Sequence, residues 1–287
     1  MLRELAKALL GEGVARMLWK RVEVIGDIAV LRKPIGVDVD LEVFRLIGAE
    51  LTRRYPNIRS VWLAVTPVSG SYRTREYVHL AGERRTETLY REHGCVFKVD
   101  IAKVYISPAL NYEHIRIARG VREGEEVLNM FAGVGLFSII IAKHAKPKLV
   151  VSVDINPYAY ELMVENVRLN KVEGVVVPVL GDAKDVARAH PGRFDRVLMP
   201  LPELAYEYFE HAVYALKSSG SIHVYDFVSA EEEGEALREA QSKYLKRCEE
   251  LGVRASVSLS RVVRSVGPRY YQVVLDLYVE KPSRTSS

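Results

Sequence analysis

The sequence predicts an α/β protein, with a doubly wound, Rossmann-like sheet over residues 109–287 and a small α+β domain over residues 1–108 before it. Three observations lead to this prediction. The chain has 287 residues, 48% hydrophobic and 27% charged, which suits a globular protein with one large and one smaller domain. From about residue 109, apolar strand-like runs alternate with helical stretches, as in a doubly wound sheet. Before that residue, helical stretches and short, hairpin-like strands follow no such alternation.

The elements of the first domain follow from local patterns. Residues 2–19 carry apolar side chains at helical spacing, and residues 22–31 predict two short strands joined by Gly26-Asp27. A second helix is predicted over residues 39–54, ending before Pro56. Further strands are predicted at 60–66, 86–90 and 95–101.

The second domain is predicted to alternate between strands and helices. The strands lie at 127–130, 149–153, 175–180, 196–199 and 221–225, and the helices at 136–143, 159–170 and 205–216. Two late strands with period-two patterning, 255–260 and 270–279, then predict a closing hairpin. By analogy of fold alone, a doubly wound sheet closed by a late hairpin is the class I methyltransferase topology.

Several classes of protein are disfavoured by composition. No apolar run is long enough to span a membrane, and the acidic residue early in Met1–Leu5 suits an amphipathic helix rather than a signal peptide. The two cysteines, Cys95 and Cys248, match no metal motif, so we expect no metal site. We interpret both as buried thiols of a cytoplasmic protein.

The net charge of +4 is unevenly distributed. Residues 1–122 hold 21 basic against 14 acidic side chains, a balance of +7, whereas residues 123–287 hold 20 against 23, a balance of −3. This asymmetry suggests that a polyanion docks partly on the first domain. The alternative is a solvated basic surface without a partner, which charge alone favours.

The end of the first strand of the second domain, Val127–Gly135, carries a glycine-rich turn. Gly133 and Gly135 would let the backbone turn sharply and approach a ligand. A lone Gly-x-Gly is more often only a tight turn, and no third glycine completes a dinucleotide fingerprint.

Acidic residues at the ends of the next two strands indicate what kind of ligand the turn would bind. Asp154 ends the second strand, where a carboxylate can accept both hydroxyls of a ribose, and Asn156-Pro157 starts the next helix. Asp182 ends the third strand, where it can contact an adenine amino group or cap the following helix. Because these features follow successive strands at spacings of about 20 and 28 residues, an adenosine-containing ligand is favoured over helix capping alone.

Ordered motifs then make the chain resemble a known family, the archaeal and eukaryotic tRNA (guanine-37-N1) methyltransferases and their relatives in wybutosine synthesis. The matching segments are 24–27, 69–76, 79–83, 99–105, 130–135, 154–157 and 165–170. The resemblance implies a class I, Rossmann-like, S-adenosylmethionine-dependent methyltransferase domain and a tRNA substrate bound at its anticodon stem-loop. Neither a membrane nor a protein partner is expected.

The resemblance also implies site residues. Glu113 resembles the family's proposed general base, Arg73 its arginine at the tRNA target region, and Tyr105 its aromatic beside the flipped guanine. Without the resemblance, a solvated helix start, a surface salt bridge and core packing would be preferred for these three. The residues expected to bind the cofactor are Phe131, Ala132, Gly133, Gly135, Asp154, Ile155, Asn156, Asp182, Pro200 and Pro202. Those expected to contact RNA are Arg73, Arg75, Tyr105 and His114.

Departures from the family pattern predict a different substrate base. Ala109 and His114 stand where the family has arginines, Pro200 where it has asparagine, and Asn129 where it has an acid. The family's domain that grips the tRNA corner is also expected to be absent. Because polar side chains are missing at Ala109 and Pro200, we predict that a tricyclic wyosine intermediate is preferred over plain guanosine 37.

Two other functions stay open. One is the aminocarboxypropyl transfer of wybutosine synthesis, which uses the same cofactor, but segments 72–75 and 200–202 fit the methyltransferase branch better. The other is a non-catalytic tRNA-binding relative, against which the intact glycine turn argues.

Overall fold

The computed structural model describes residues 2–19, 22–34, 36–68, 70 and 72–282. Ser69 and Ser71 of the quoted motif lie outside the described residues. The chain divides into two compact units, Met1–Ala109 and Leu110–Ser287, and each is described by itself.

The first unit is an α+β unit, as the sequence predicted. Its elements are α1 (Leu2–Met17), β1 (Glu23–Ile25), β2 (Ile28–Arg32), α2 (Leu41–Arg54), β3 (Ser60–Ala64), β4 (Tyr77–Gly82), β5 (Glu87–Glu92) and β6 (Cys95–Asp100). Helix α1 is kinked at Gly11, whose φ is 84°. Helix α2 starts at Asp40, whose side chain accepts a hydrogen bond from the Glu42 amide at 3.0 Å.

Four strands of this unit form one sheet in the order β1-β2-β3-β4, and β5 pairs with β6 in a separate hairpin. The buried face of α2, formed by Phe44, Ile47 and Leu51, belongs to the same core as Val61 and Leu63 of β3. Strand β4 was not predicted, because most of its side chains are only half-buried and give no clear alternation.

The second unit contains the predicted alternation of strands and helices. Its elements are a 3-10 turn (Pro108–Leu110, which begins in the first unit), α3 (Asn111–Gly120), β7 (Glu126–Asn129), α4 (Leu136–His144), β8 (Leu149–Asp154), α5 (Pro157–Leu169), β9 (Val176–Leu180), α6 (Ala183–Ala189), β10 (Phe194–Met199), α7 (Pro202–Ala215), β11 (Leu216–Ser229), α8 (Glu233–Glu250), β12 (Arg254–Gly267) and β13 (Tyr270–Glu280).

Seven strands form its sheet, in the order β12-β13-β11-β10-β7-β8-β9. Strands β11, β10, β7, β8 and β9 are parallel to one another, whereas β13 is antiparallel to β11 and β12 is antiparallel to β13. The predicted doubly wound sheet with a late hairpin is therefore confirmed. Because β7, β8 and β9 are parallel neighbours, their carboxyl ends lie together at one edge of the sheet, where ligands of such folds bind.

Helices α3, α6 and α8 were not predicted. The buried face of α8 consists of Ala236, Ala240, Tyr244 and Cys248, so two alanines and a cysteine take the place of the large aliphatic side chains that signal a core-facing helix. Cys95 and Cys248 are both buried and free, as expected. None of the helices in the described part of the chain is long and apolar enough to cross a membrane.

Candidate functional site

The loop after β7 is fixed to the two neighbouring strands. The Met130 amide donates to the Leu198 carbonyl of β10 at 3.0 Å, and the Ala132 amide donates to the Val153 carbonyl of β8 at 2.8 Å. Asn166 of α5 donates from Nδ2 to the Val134 carbonyl at 3.1 Å. The glycine turn is thus held from three elements at the carboxyl edge of the sheet.

Both glycines of this turn adopt left-handed backbone angles. The φ of Gly133 is 55° and that of Gly135 is 94°. A Cβ on Gly135 would lie 3.1 Å from Ile139 Cδ1 and 3.1 Å from Met163 Cγ. Glycine is therefore required at 135 for the backbone angle and for the packing of α4 and α5.

Asp154 holds the turn from the neighbouring strand. Its Oδ2 accepts from the Gly133 amide at 2.7 Å, and its Oδ1 accepts from the Asn156 amide at 2.9 Å. Burial raises the pKa of Asp154, and the backbone hydrogen bonds oppose that shift only partly. The cap of α5 is Asn156, which accepts from the Tyr158 amide at 3.0 Å, so capping does not explain Asp154.

Asp182, in contrast, does cap the following helix. Its Oδ1 accepts from the Lys184 amide at 3.0 Å, and its Oδ2 lies 3.2 Å from the Tyr208 hydroxyl that donates to it. Burial acts to raise the pKa of Asp182, but the hydrogen bonds from Lys184 and Tyr208 outweigh it and lower the pKa. Phe131 packs edge-on against Tyr208 with ring centroids 5.3 Å apart, so the first and third strand ends are linked.

The remaining predicted cofactor residues lie at the same edge of the sheet. Ile155 follows Asp154 and is 48% exposed. Pro200 follows β10, and Pro202 is buried in the first turn of α7. An exposed aliphatic side chain beside a carboxylate with unused lone pairs suits a ligand that has both a flat apolar face and hydroxyl groups. Adenosine has both features, so these residues fit S-adenosylmethionine.

Asn129, which replaces an acid of the family pattern, is buried under the turn. Its Nδ2 donates to the Ser138 hydroxyl at 3.1 Å and its Oδ1 accepts from the Phe131 amide at 3.3 Å. Ser152 of β8 donates to the same Ser138 hydroxyl at 2.7 Å. Asn129 therefore orders the loop from below.

Glu113 lies in the first turn of α3 with only 1% of its side chain exposed. Its Oε2 accepts from the Tyr225 hydroxyl at 2.8 Å and from Arg116 Nε at 3.0 Å. Arg261 of β12 forms an ion pair with its Oε1. Glu113 is thus a fully buried carboxylate between two guanidinium groups.

A row of charged side chains continues from Glu113 across the sheet. Arg116 also pairs with Asp276 of β13, whose Oδ1 lies 2.6 Å from Nδ1 of His223 on β11. Nε2 of His223 lies 2.6 Å from Nη1 of Arg196 on β10, and Arg196 pairs with Glu125 at 2.8 Å. The order of these side chains along the row is the order of their strands in the sheet: Asp276 on β13, His223 on β11 and Arg196 on β10.

Protonation within this row follows from its geometry. Burial lowers the pKa of His223 and the charges of Arg196 and Arg116 add to that effect, whereas Asp276 opposes it. A neutral ring with the proton on Nδ1 donates to Asp276 and accepts from Arg196, which satisfies both contacts. Burial acts to raise the pKa of Asp276, but His223 and Arg116 outweigh it and lower the pKa strongly.

In the first unit, Arg73 and Tyr105 are in contact. The Arg73 guanidinium carbon lies 4.4 Å from the centroid of the Tyr105 ring. The φ of Arg73 is 54°, an unusual angle for a residue with a side chain. Arg75 and Tyr77 line the same small cavity. The structure therefore brings together three of the four residues predicted to contact RNA.

His114 is the exception. It is 3% exposed, and its ring packs edge-on against Phe137 with the centroids 4.4 Å apart. This ring therefore lies in the contact between α3 and α4, and its contact with RNA stays a prediction.

The sequence did not predict Arg116, Tyr225 and Arg261, which contact Glu113, or His223 and Asp276, which continue the row. Arg116 and Asp276 are 160 residues apart in the chain, so no local pattern links them. The available signal was a histidine and an aspartate inside otherwise apolar strands, His223 in β11 and Asp276 in β13.

Two family models and several known proteins match this chain. The TRM5/TYW2 methyltransferase domain family matches residues 88–258, and the TYW2 N-terminal domain family matches residues 2–86. The tRNA 4-demethylwyosine(37)-methyltransferase Taw21 of Saccharolobus solfataricus is 41% identical over 91% of this chain and 94% of its own. The tRNA (guanine(37)-N(1))-methyltransferase Trm5b of Pyrococcus abyssi is 38% identical over 92% of this chain and 76% of its own.

Two solved structures are similar in three dimensions. A complex of aTrm5 with tRNALeu has a TM-score of 0.83 at 34% identity and covers 96% of this chain and 77% of its own. TYW2 of Methanocaldococcus jannaschii in complex with AdoMet has a TM-score of 0.69 at 28% identity and covers 91% of this chain and all of its own (100%).

Proposed function

Because this chain belongs to the TRM5/TYW2 methyltransferase family, we propose that it methylates the modified guanosine at position 37 of tRNA, with S-adenosylmethionine as methyl donor. The preferred substrate is the tricyclic wyosine intermediate. The observation that carries the proposal is the Asp154 carboxylate, held by the Gly133 and Asn156 amides at the edge where β7, β8 and β9 end.

The cofactor is held by the residues of this edge. Asp154 would accept the ribose hydroxyls on its remaining lone pairs, Ile155 would cover the adenine ring, and Asp182 would face the adenine amino group. The Gly133–Gly135 turn would leave room for close approach of the ligand. When bound, S-adenosylmethionine would supply an electrophilic methyl group for a nucleophilic atom of the base.

Glu113 is the group that receives a proton when the attacking atom of the base carries one. Tyr225 and Arg116 fix its Oε2, so the carboxylate is oriented before the substrate arrives. Burial of the carboxylate keeps water away from the proton it accepts.

The substrate assignment rests on two observations. A relative that shares 41% of its residues over 94% of its length with this chain is named a 4-demethylwyosine methyltransferase. Ala109 and Pro200 have no side-chain donor to hold the polar edge of a plain guanine. A larger tricyclic base is instead gripped by stacking, for which the Arg73–Tyr105 pair is built.

The RNA partner is tRNA, contacted at its anticodon stem-loop, and the first unit has a net positive charge, with 18 basic against 13 acidic side chains. Binding is therefore expected to weaken steeply with salt, because each phosphate contact releases counterions. Footprinting checks this assignment. Protection confined to the tRNA corner would contradict it.

The test of the function is methyl transfer to two purified tRNAs, an unmodified transcript and a tRNA that carries the tricyclic base at position 37. We expect faster transfer to the tricyclic base, and mass spectrometry of the product nucleoside identifies the added group. Faster transfer to the unmodified transcript would reverse the substrate assignment. An aminocarboxypropyl product would place the chain in the other branch of the family, and no product with either tRNA would contradict the enzyme assignment.

A further inference from the structure

The two oxygens of Glu113 are held in different ways. Oε2 accepts from Tyr225 and Arg116, which the fold itself places against it. Tyr225 is fully buried, and the Arg116 side chain is only 14% exposed and is also paired with Asp276. Oε1 is contacted by Arg261. The first oxygen is therefore permanently engaged, whereas the second depends on one side chain.

Arg261 is the most exposed of the three side chains that contact Glu113. Its side chain is 39% exposed, and it extends from β12, the edge strand of the sheet. On its outer side it stacks on Tyr112, which is 57% exposed, with 4.6 Å from the guanidinium carbon to the ring centroid. Solvent therefore reaches part of the Arg261 side chain, whereas the other two partners of Glu113 lie in the core.

A second arginine of β12 lies three residues from Arg261. Arg264 donates from Nε to the Gln272 side chain, a neutral partner, at 2.7 Å. A guanidinium group pairs with a phosphate as well as with a carboxylate, and in the same forked geometry. A phosphate that approaches the edge strand thus competes directly with Glu113 for Arg261.

We propose that Arg261 is an exchangeable counter-ion that couples RNA binding to the exposure of Glu113. In the free protein Arg261 covers Oε1 of Glu113; in the complex a phosphate of the RNA takes Arg261, and Oε1 becomes available to accept the proton of the base. Arg116 and Tyr225 hold the carboxylate in place throughout. The inference rests on the proposed function for the identity of the RNA, but the exchange itself is a property of these side chains.

Three variants test the exchange: Arg261→Gln, which removes the charge at similar length, Arg261→Lys, which keeps it, and Glu113→Gln as a reference. Arg254→Gln is the matched control, because it removes an exposed arginine from the same strand away from Glu113. For each protein, tRNA affinity is measured over a salt series, and the methyl-transfer rate is measured in a single turnover at saturating tRNA.

For Arg261→Gln we expect a tRNA dissociation constant raised about threefold to tenfold and a salt slope reduced by about one, the loss of one phosphate contact. The transfer rate at saturation should stay within about twofold of the wild type, whereas Glu113→Gln lowers it by about a hundredfold or more. Arg261→Lys should restore the salt slope, and Arg254→Gln should retain both the wild-type salt slope and the wild-type rate.

The exchange is overturned if Arg261→Gln keeps the wild-type salt slope, or if its rate at saturation falls as far as that of Glu113→Gln. Loss of the fold in Arg261→Gln, seen by thermal melting, would also overturn it, because a partner that leaves on RNA binding cannot be required for folding. If the wild type transfers no methyl group to either tRNA, the proposed function fails, but the salt slopes still decide whether Arg261 binds phosphate.

Discussion

Tyr225 of β11 donates its hydroxyl proton to Glu113 at the start of α3, over 2.8 Å and with both side chains buried. Burial raises the pKa of Tyr225 well above its ordinary value, so the phenol keeps its proton and remains a donor at neutral pH. The contact ties the first turn of α3 to the central part of the sheet. The position of the candidate base is therefore set by the core of the second unit.

The first prediction concerns the stability of this arrangement. Tyr225→Phe should lower the free energy of unfolding by about 1 kcal/mol, the net value of a buried hydrogen bond. Glu113→Ala should lower it by about 3 kcal/mol, because Arg116 then keeps only one of its two carboxylate partners. Urea unfolding measures both. Equal losses in the two variants would mean that Arg116 does not depend on Glu113.

The second prediction concerns pH. His223 faces Asp276, Arg196 and Arg116, and burial first of all lowers its pKa below the ordinary 6.5. A buried histidine that is held neutral contributes fully to stability above the pKa that it has in the unfolded chain. This contribution is lost as the pH falls below that value, because the unfolded chain then binds the proton more readily. The melting temperature should therefore drop as the pH falls below about 6.5.

Replacement of His223 by asparagine, which retains a donor toward Asp276, should make that drop shallower. His144→Asn is the matched control, since His144 is exposed at the end of α4. Thermal melting from pH 5 to 8 compares the three proteins. A drop as steep in the His223 variant as in the wild type would show that His223 does not carry the pH dependence.

The parallel strands β7 to β10 could be predicted because they are short, mostly apolar runs, whereas β12 and β13 were predicted from their period-two patterning. Strands buried on both faces need such runs, and the turns between them are marked by glycine or by acids such as Asp154 and Asp182. Helix α8 escaped prediction for the opposite reason. It packs through small residues, Ala236 and Ala240, and most of its other side chains are charged or polar.

The two parts of the candidate site also differed in how well the sequence predicted them. The cofactor residues follow the ends of parallel strands, so the order of strands alone places Gly133, Asp154 and Asp182 at one edge. Of the partners of Glu113, Arg116 lies on the same helix, whereas Tyr225 lies on β11 and Arg261 on β12, so no local pattern links these two to Glu113. Only the pairing of β11 with β13, which sets His223 opposite Asp276, shows that they form one row.

The third prediction separates packing from backbone strain at the glycine turn. Gly135 and Gly124 both have left-handed φ angles, 94° and 81°, but a Cβ on Gly124 meets nothing within 4 Å. Gly124→Ala should lower the free energy of unfolding by about 1–2 kcal/mol through backbone strain alone. Gly135→Ala should cost about 1–3 kcal/mol more, because its Cβ crowds Ile139 and Met163. Equal losses would mean that α4 and α5 move apart freely.

The last prediction concerns Asp154 and the cofactor. Asp154→Ala removes the acceptor for the ribose hydroxyls and leaves the Gly133 and Asn156 amides without their partner. S-adenosylmethionine binding should weaken by about 1–3 kcal/mol, and Asp154→Asn, which keeps one acceptor oxygen, should lose less. Asp185→Ala is the matched control, because that acid is exposed on α6 and pairs only weakly with Arg188 at 3.8 Å. Calorimetric titration of the cofactor compares the four proteins.

The affinity of the wild type for the cofactor should also depend on pH. Burial raises the pKa of Asp154, so as the pH is lowered the carboxylate gains a proton, and loses acceptor capacity, at a higher pH than an ordinary aspartate would. An Asp154→Ala protein with wild-type affinity would remove Asp154 from the cofactor site.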